Sequence, residues 1–231
     1  MGTISEKILS AHAGKEVRAG DICIVPVDFT MSQDGTTGLT IKAFKQMAAK
    51  SIANPKKYAI VIDHNSPSPM ESVSNIHKEM RDFAGDQGSI LYDVGEGVCH
   101  QLLPEKGHVL PGNVVIGGDS HTCTYGALNV FATGVGSTDA GVAMALGECW
   151  FRVPESMRFT FTGSLRKWVT GKDLILYTIG KIGVDGARYR AMEFSGPAID
   201  TLPMDGRFTM SNMAIEAGAK AGLFHVDALT E

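Results

Sequence analysis

Three histidines stand close to carboxylates at the ends of apolar runs. Asp63-His64 follows YAIVI, Cys99-His100-Gln101 comes soon after SILYDV, and Asp119-Ser120-His121-Thr122 directly follows NVVIGG. A carboxylate that accepts from one ring nitrogen fixes the tautomer and raises the basicity of the other nitrogen, which suits proton transfer near neutral pH. In open α/β sheets ligands gather where strands end and loops begin, so these segments point to one crevice. His12, His77, His108 and His225 lack that setting and read as surface or hydrogen-bonded residues. Two other readings stand beside the catalytic one. Asp63 and Asp119 suit turns and helix caps, and Cys99, His100, His121 and Cys123 are zinc-ligand types. Against zinc, the paired spacings of structural sites are absent, and adjacent side chains such as Cys99 and His100 diverge in extended chain. The residues therefore predict a proton-transfer site with no metal ligand in this chain.

The elements that must position these residues are legible as alternating patterns. Strand-like runs occur at 22–27, 58–63, 89–94, 113–118 and 158–163. Between them lie helical stretches with start signals. Thr3 and Glu6 form a capping box, Ser68-Pro69-Met70-Glu71 gives a cap with proline in the first turn, and Thr170 with Asp173 repeats the pattern. Residues 209–220 place Met210, Met213 and Ala217 at helical spacing. This rhythm predicts an α/β fold with a largely parallel sheet flanked by helices, and a boundary near Val153-Pro154-Glu155. The expected units are 1–155 and 156–231, the second being the start of another α/β domain. Gly134-Val-Gly136-Ser-Thr-Asp-Ala-Gly141 superficially resembles a dinucleotide loop, but its spacing is wrong and no convincing strand precedes it. Ser137 as a cap with Asp139 in the first turn accounts for it more simply. Asp34-Gly-Thr-Thr-Gly38 reads as a turn, and Met31, Met47, Met70, Met80 and Met144 read as core filler.

Composition excludes several classes. With 44% hydrophobic and 20% charged residues among 231, the chain can build an ordinary core. The formal charge is −4 and lysine and arginine are scattered, which argues against nucleic acid. No apolar run approaches the roughly 20 residues of a bilayer span, so no membrane is expected. The N-terminus lacks a signal-peptide layout, and its Met-Gly-x-x-x-Ser start is only a weak myristoylation pattern, so the cytoplasm is expected. Cys23, Cys99, Cys123 and Cys149 are dispersed and read as free thiols.

Several motifs together resemble the aconitase superfamily, in its branch of 3-isopropylmalate dehydratase and homoaconitase large subunits. GGDSHTCTYGAL at 117–128 resembles the family's DSHT signature, followed by ATGVGSTD at 132–139. IDHNSPS at 62–68 resembles its Asp-His strand end, and EGVCHQLLPEKGHVLPG at 96–112 its His-Gln segment. SQDGTTG at 32–38 is similar to its Gln-Asp loop. SNMAIEAGAKAGLF at 211–224 is similar to the segment with a substrate-site Asn and a catalytic Glu. The matches run in order along the whole chain.

The resemblance implies an aconitase-like fold and a hydro-lyase. Such an enzyme reversibly dehydrates a hydroxy di- or tricarboxylate at a [4Fe–4S] cluster, where iron acts as a Lewis acid. The first-choice reaction is 2-isopropylmalate to 3-isopropylmalate in leucine biosynthesis. Homoaconitate, citrate and dimethylmalate are the alternatives. Asp63 would pair with His64, Asp119 with His100 and Glu216 with His121; His64 would protonate the departing hydroxyl. Gln33, Ser120 and Asn212 would contact substrate. A separate small subunit is implied as partner. The family's Gly-Ser-Cys-Thr-Asn and C-x-x-C cluster motifs do not occur here, and Cys99 and Cys123 do not match them. The expectation is the front half of a longer subunit, with no cluster held by this chain and no activity from it alone. Readings from other classes are a non-catalytic assembly module and a zinc hydrolase.

Overall fold

The computed structural model describes residues 2–230. In chain order the elements are α1 (Ile4–Ala13), β1 (Ile22–Pro26), β2 (Phe29–Gln33), α2 (Thr37–Gln46), β3 (Tyr58–Val61), α3 (Glu71–Gln87), β4 (Ile90–Tyr92), α4 (Cys99–Glu105), β5 (Val114–Gly117), β6 (Phe131–Gly134), α5 (Ser137–Leu146), β7 (Glu148–Arg152), β8 (Ser156–Thr160), α6 (Gly171–Ile182), β9 (Ala191–Ser195), α7 (Pro197–Asp200), α8 (Met204–Asn212) and β10 (Ala221–Leu223). A 3₁₀ helix, Ser120–Leu128, joins β5 to β6, and a 3₁₀ turn, Met213–Ala217, follows α8.

The central sheet has the order β4-β3-β2-β5-β6 and is parallel throughout. Both of its faces are covered, so β3 and β5 read as continuous apolar runs. Tyr58, Ile60 and Ile62 face Ile41 and Phe44 of α2 and Met80 and Phe83 of α3. Ala59 and Val61, alternating to the other face, join Met31, Leu102, Leu103 and Tyr125. Each such large side chain contributes roughly 1.5–3 kcal/mol by leaving water. From β2 the chain builds outward through β3 and β4, then returns to place β5 and β6 on the other side of β2. The C-terminal ends of β2 and β5 therefore flank the point where strand order reverses, and a crevice opens at such a point.

Two further sheets flank this one. β1 and β7 form an antiparallel ribbon, and β10-β9-β8 form a parallel sheet that packs on α6 and α8. The ribbon buries Cys23, Val25, Cys149 and Phe151 and exposes Ile22, Ile24 and Trp150.

Local expectations hold at some places and fail at others. The capping box at Thr3 and Glu6 forms, and Asp173 accepts from both the N–H and the hydroxyl of Thr170. The run at 22–27 forms a strand, but in the ribbon and not in the central sheet. Ser68 does not cap α3, because its hydroxyl bonds Met70 O and Ser74 Oγ, and the helix begins at Glu71. Residues 209–220 are not one helix, since α8 ends at Asn212 and tightens into the 3₁₀ turn. Gly134 does close a strand, β6, and α5 is preceded by Gly136 with no side-chain cap from Ser137. Of the methionines read as core, Met47 and Met70 are exposed. Among the described residues no helix is long and apolar enough to cross a membrane.

Candidate active site

Asp119 occupies the reversal point, two residues beyond β5. The glycines before it allow that position to be crowded. A Cβ on Gly117 would lie 2.2 Å from Thr122 Oγ1, and one on Gly118 would lie 2.8 Å from Thr36 Oγ1. Asp119 then caps the 3₁₀ helix, with Oδ1 accepting the His121 N–H at 2.8 Å and its carbonyl accepting the Thr122 hydroxyl at 2.7 Å. The same Oδ1 accepts from His100 Nε2 at 2.8 Å, while Oδ2 lies 3.2 Å from His64 Nε2 and 3.4 Å from Gln33 Nε2. Cap and site are thus one carboxylate. Burial opposes its charge, but His100, the His121 N–H and the nearby His64 outweigh burial and hold the carboxyl well below the usual carboxylate range.

Asp63 has a similar double role. Its Oδ2 accepts the backbone N–H of Cys99 at 2.6 Å, at the positive N-terminal end of α4, and its Oδ1 lies 2.7 Å from His64 Nδ1. His64 therefore spans two carboxylates, one on each ring nitrogen. Burial lowers its pKa, but the Asp63 hydrogen bond and the charges of Asp63, Asp119 and Asp34 outweigh this and raise it. The ring remains about 39% exposed, so it is open to a ligand.

His100, mostly buried, is the first-turn residue of α4 rather than part of an extended segment, and its Nδ1 lies 3.3 Å from the hydroxyl of Tyr125. His121 pairs through Nε2 with Glu216 Oε1 at 3.0 Å, and its Nδ1 lies 3.2 Å from Ser120 Oγ. That contact joins the 3₁₀ helix to the 3₁₀ turn after α8. All three histidines and their carboxylates thus meet on one side of the sheet.

The expected substrate contacts separate. Ser120 is exposed beside a cavity of about 380 Å3 that also reaches Gly134, Arg152 and Lys220. Gln33 is buried, its amide nitrogen directed to Asp119 and its carbonyl accepting from Gly35 N. Asn212 gives its amide N–H to Thr124 Oγ1 at 2.9 Å, and Thr124 gives its own proton to His121 O at 2.6 Å. In the ligand-free site Gln33 and Asn212 thus support the histidine cluster from within.

Sequence reasoning missed four supporting residues. Tyr125 and Thr124 lie inside the DSHT segment. Asp34 and His77 form a buried pair beneath His64, although one is a turn residue and the other an ordinary helix residue by pattern.

The cysteines are not gathered. All four are buried, and burial pushes Cys123 up to about 12 and Cys149 up to about 11. Burial, with Asp63 beside it, pushes Cys99 still further above the ordinary thiol range. Ligand atoms of Asp63, His64 and Cys99 do lie within 4.8 Å of one another. Both Asp63 oxygens face N–H groups here, so a metal on this trio would have to displace the contacts to His64 Nδ1 and the Cys99 N–H. Among the described residues the ligand atoms that gather are those of Asp63, His64 and Cys99, and not the set Cys99, His100, His121 and Cys123.

The aconitase family (aconitate hydratase) model matches residues 6–231. The 3-isopropylmalate dehydratase large subunit of Thermodesulfovibrio yellowstonii is 56% identical over 232 residues, covering 99% of this chain and 55% of that protein. Large subunit 1 from Pyrococcus furiosus is 54% identical, covering 99% and 54%, and the Moorella thermoacetica large subunit is 55% identical, covering 99% and 55%. The chain spans about half the length of the curated relatives it matches.

Proposed function

The chain belongs to the aconitase family, and from that membership we propose that it carries the proton-donating half of a hydro-lyase site for 3-isopropylmalate. The observation that carries this reading is the convergence of His64, His100 and His121 around Asp119 at the reversal point of a parallel sheet. We assign residues 1–155 to the family's first domain and 156–231 to the start of its second.

Loss of a hydroxyl from a malate-type acid needs a proton for the leaving oxygen, a base for the adjacent carbon, and groups to hold the carboxylates. His64 supplies the proton. In the free site its Nε2 lies 3.2 Å from Asp119 Oδ2, an ion-pair contact without hydrogen-bond alignment, which leaves the Nε2 proton free for a hydroxyl in the crevice. Asp63 keeps Nδ1 protonated and balances the ring's charge. Asp119, fixed by His100, Gln33 and the His121 N–H, holds the far side of the crevice. Ser120 donates to a substrate carboxylate in the adjoining cavity, whose wall includes the cations Arg152 and Lys220. The carbon-bound proton goes to a base outside these residues.

Family membership implies a [4Fe–4S] cluster, but the four cysteines of this chain do not fit it. They are buried on four separate elements, whereas a cluster takes its thiolates around one concave site. We therefore assign the ligands, the base and the small subunit to the part of the enzyme this chain does not span.

The test is kinetic, on the complete enzyme with its small subunit, using 3-isopropylmalate. His64→Ala should lower kcat far more than it raises KM, because proton delivery to the leaving oxygen belongs to the transition state. Ser120→Ala should act mainly through KM. An unchanged kcat in His64→Ala would remove His64 from the proton-donor role.

A further inference from the structure

The segment that carries His64 leaves the sheet at Ile62 and has little regular structure of its own before α3 begins at Glu71. Something else must hold the ring between its two carboxylates. Asp34, in the turn after β2, reaches across to that segment. Its Oδ1 accepts the backbone N–H of His64 at 2.9 Å and its Oδ2 the N–H of Asn65 at 2.7 Å. Both carboxylate oxygens are thus spent on two consecutive peptide groups, an anion in a small nest of N–H donors. His77 of α3 closes the arrangement from below, with Nε2 lying 3.1 Å from Asp34 Oδ2. The side chains are 0% and 3% exposed, so neither belongs to a solvated surface pair.

We propose that Asp34 and His77 are positioning residues, a buried carboxylate–imidazole brace that fixes the His64 peptide and so aims its ring at the reacting oxygen. The inference rests on the reading of His64 as proton donor. Asp34 in the turn at 34–36 and the lone histidine of α3 have no other evident task, since a buried carboxylate–imidazole pair is a weak source of stability compared with apolar packing of the same volume. The brace also acts through space. His64 faces Asp63 on its own segment, Asp119 from the 3₁₀ helix, Cys99 from α4 and Asp34 from the β2 turn, and no lysine or arginine is paired with these carboxylates among the described residues. Asp34 adds to the charge that keeps the His64 ring protonated.

Two readouts separate positioning from mere support of the fold. In the complete enzyme, His77→Leu removes the donor but fills the space, and should lower kcat about a hundred-fold, the scale expected for misplacing a reacting group by ~1 Å. KM should move much less. His77→Gln places an amide N–H where Nε2 lay and should recover most of the loss. Equal losses in the Leu and Gln variants, or wild-type kcat in His77→Leu, would overturn the brace. The second readout is the His64 ring titration, followed by NMR in wild type and Asp34→Asn. With the Asp34 charge gone, the titration should move to lower pH, and an unmoved titration would also overturn the proposal. If His77→Leu does not fold, the Gln variant and this titration decide. Should His64→Ala keep full kcat while the Asp34→Asn titration still shifts, the brace stands and the catalytic role of His64 falls.

Discussion

Replacing Asp119 by Asn tests the centre of the site with almost no change of volume. The amide oxygen can stay on the side of His100 and the His121 N–H, both 2.8 Å away. The new NH2 then faces His64 Nε2 at 3.2 Å and Gln33 Nε2 at 3.4 Å, donor against donor. Contacts to a charged acceptor contribute roughly 1.5–3 kcal/mol and neutral ones about 1, so two weakened contacts and two opposed donors, one of which His64 relieves by losing its Nε2 proton, cost about 2–3 kcal/mol in all. The pH dependence has a definite sign. Asp119 is depressed in the folded state, so its contribution is present above the unfolded value of about 3.9 and is lost as pH falls through the folded value. Urea unfolding should therefore show the wild type ahead by about 2–3 kcal/mol at pH 7, with the gap narrowing only below about pH 4. The His64 titration should fall as well, because its ring gives up the Nε2 proton to relieve the clash. A gap under about 0.5 kcal/mol at pH 7, or one that closes between pH 7 and 5, would mean that Asp119 is not the shared acceptor described above.

Other substitutions probe the surrounding framework. Gly126→Ala would place a Cβ 1.9 Å from the backbone oxygen of Gly222, so the 3₁₀ helix must part from β10; a loss of about 3 kcal/mol or more by thermal unfolding is expected. Glu216→Gln should cost under about 1 kcal/mol, because the His121–Glu216 pair is exposed, yet it should lower kcat of the complete enzyme if His121 orientation matters. Asp227→Asn strands the fully buried Arg207, whose Nη2 lies 2.6 Å from Asp227 Oδ2, and should cost about 3 kcal/mol in denaturant unfolding. Asp63→Asn should move the His64 titration to lower pH by NMR, since the Asp63 carboxylate is the nearest charge holding that ring protonated.

The sequence displayed the strands with uninterrupted Val and Ile runs, and β3 and β5 fall where those runs lie. β2 was hidden because FTMSQ contains no such run, although it sits at the centre of the sheet and every one of its residues is buried. β1 misled in the opposite sense. Its alternation suits either a sheet strand or a half-exposed ribbon, and only its partner β7, far along the chain, distinguishes them. The false cap at Ser68 arose because a Ser-Pro-x-Glu pattern satisfies the local rule while the hydroxyl finds Ser74 Oγ instead. In the site, pairs tied to strand ends were legible, including Asp63 with His64. The second contact of His64 was not, because it joins β3 to β5 across the sheet and no local pattern encodes it. Asp34 and His77 were illegible for the same reason.

Hydrogen-bond counting around Asp119 explains why the cluster behaves as a unit rather than as three separate pairs. Each nitrogen of His64 faces a carboxylate oxygen, so both contacts are favourable only when the ring carries both protons. His100 differs, because only one of its nitrogens faces a carboxylate; the other faces Tyr125, whose single proton can go to His100 Nδ1 or to Cys99 O, each 3.3 Å away. A neutral His100 donating to Asp119 and accepting from Tyr125 leaves no lone pair opposed to another. When His64 gives up its proton, the charge it balanced on Asp119 must be taken by its other donors, His100, Gln33 and the His121 N–H. A change at Asp119 is therefore felt at both rings, and titrations of this cluster belong to the group and not to any single residue. This coupling also accounts for the buried Gln33 amide: a neutral donor on Asp119 Oδ2 stays in place whichever protonation state His64 adopts.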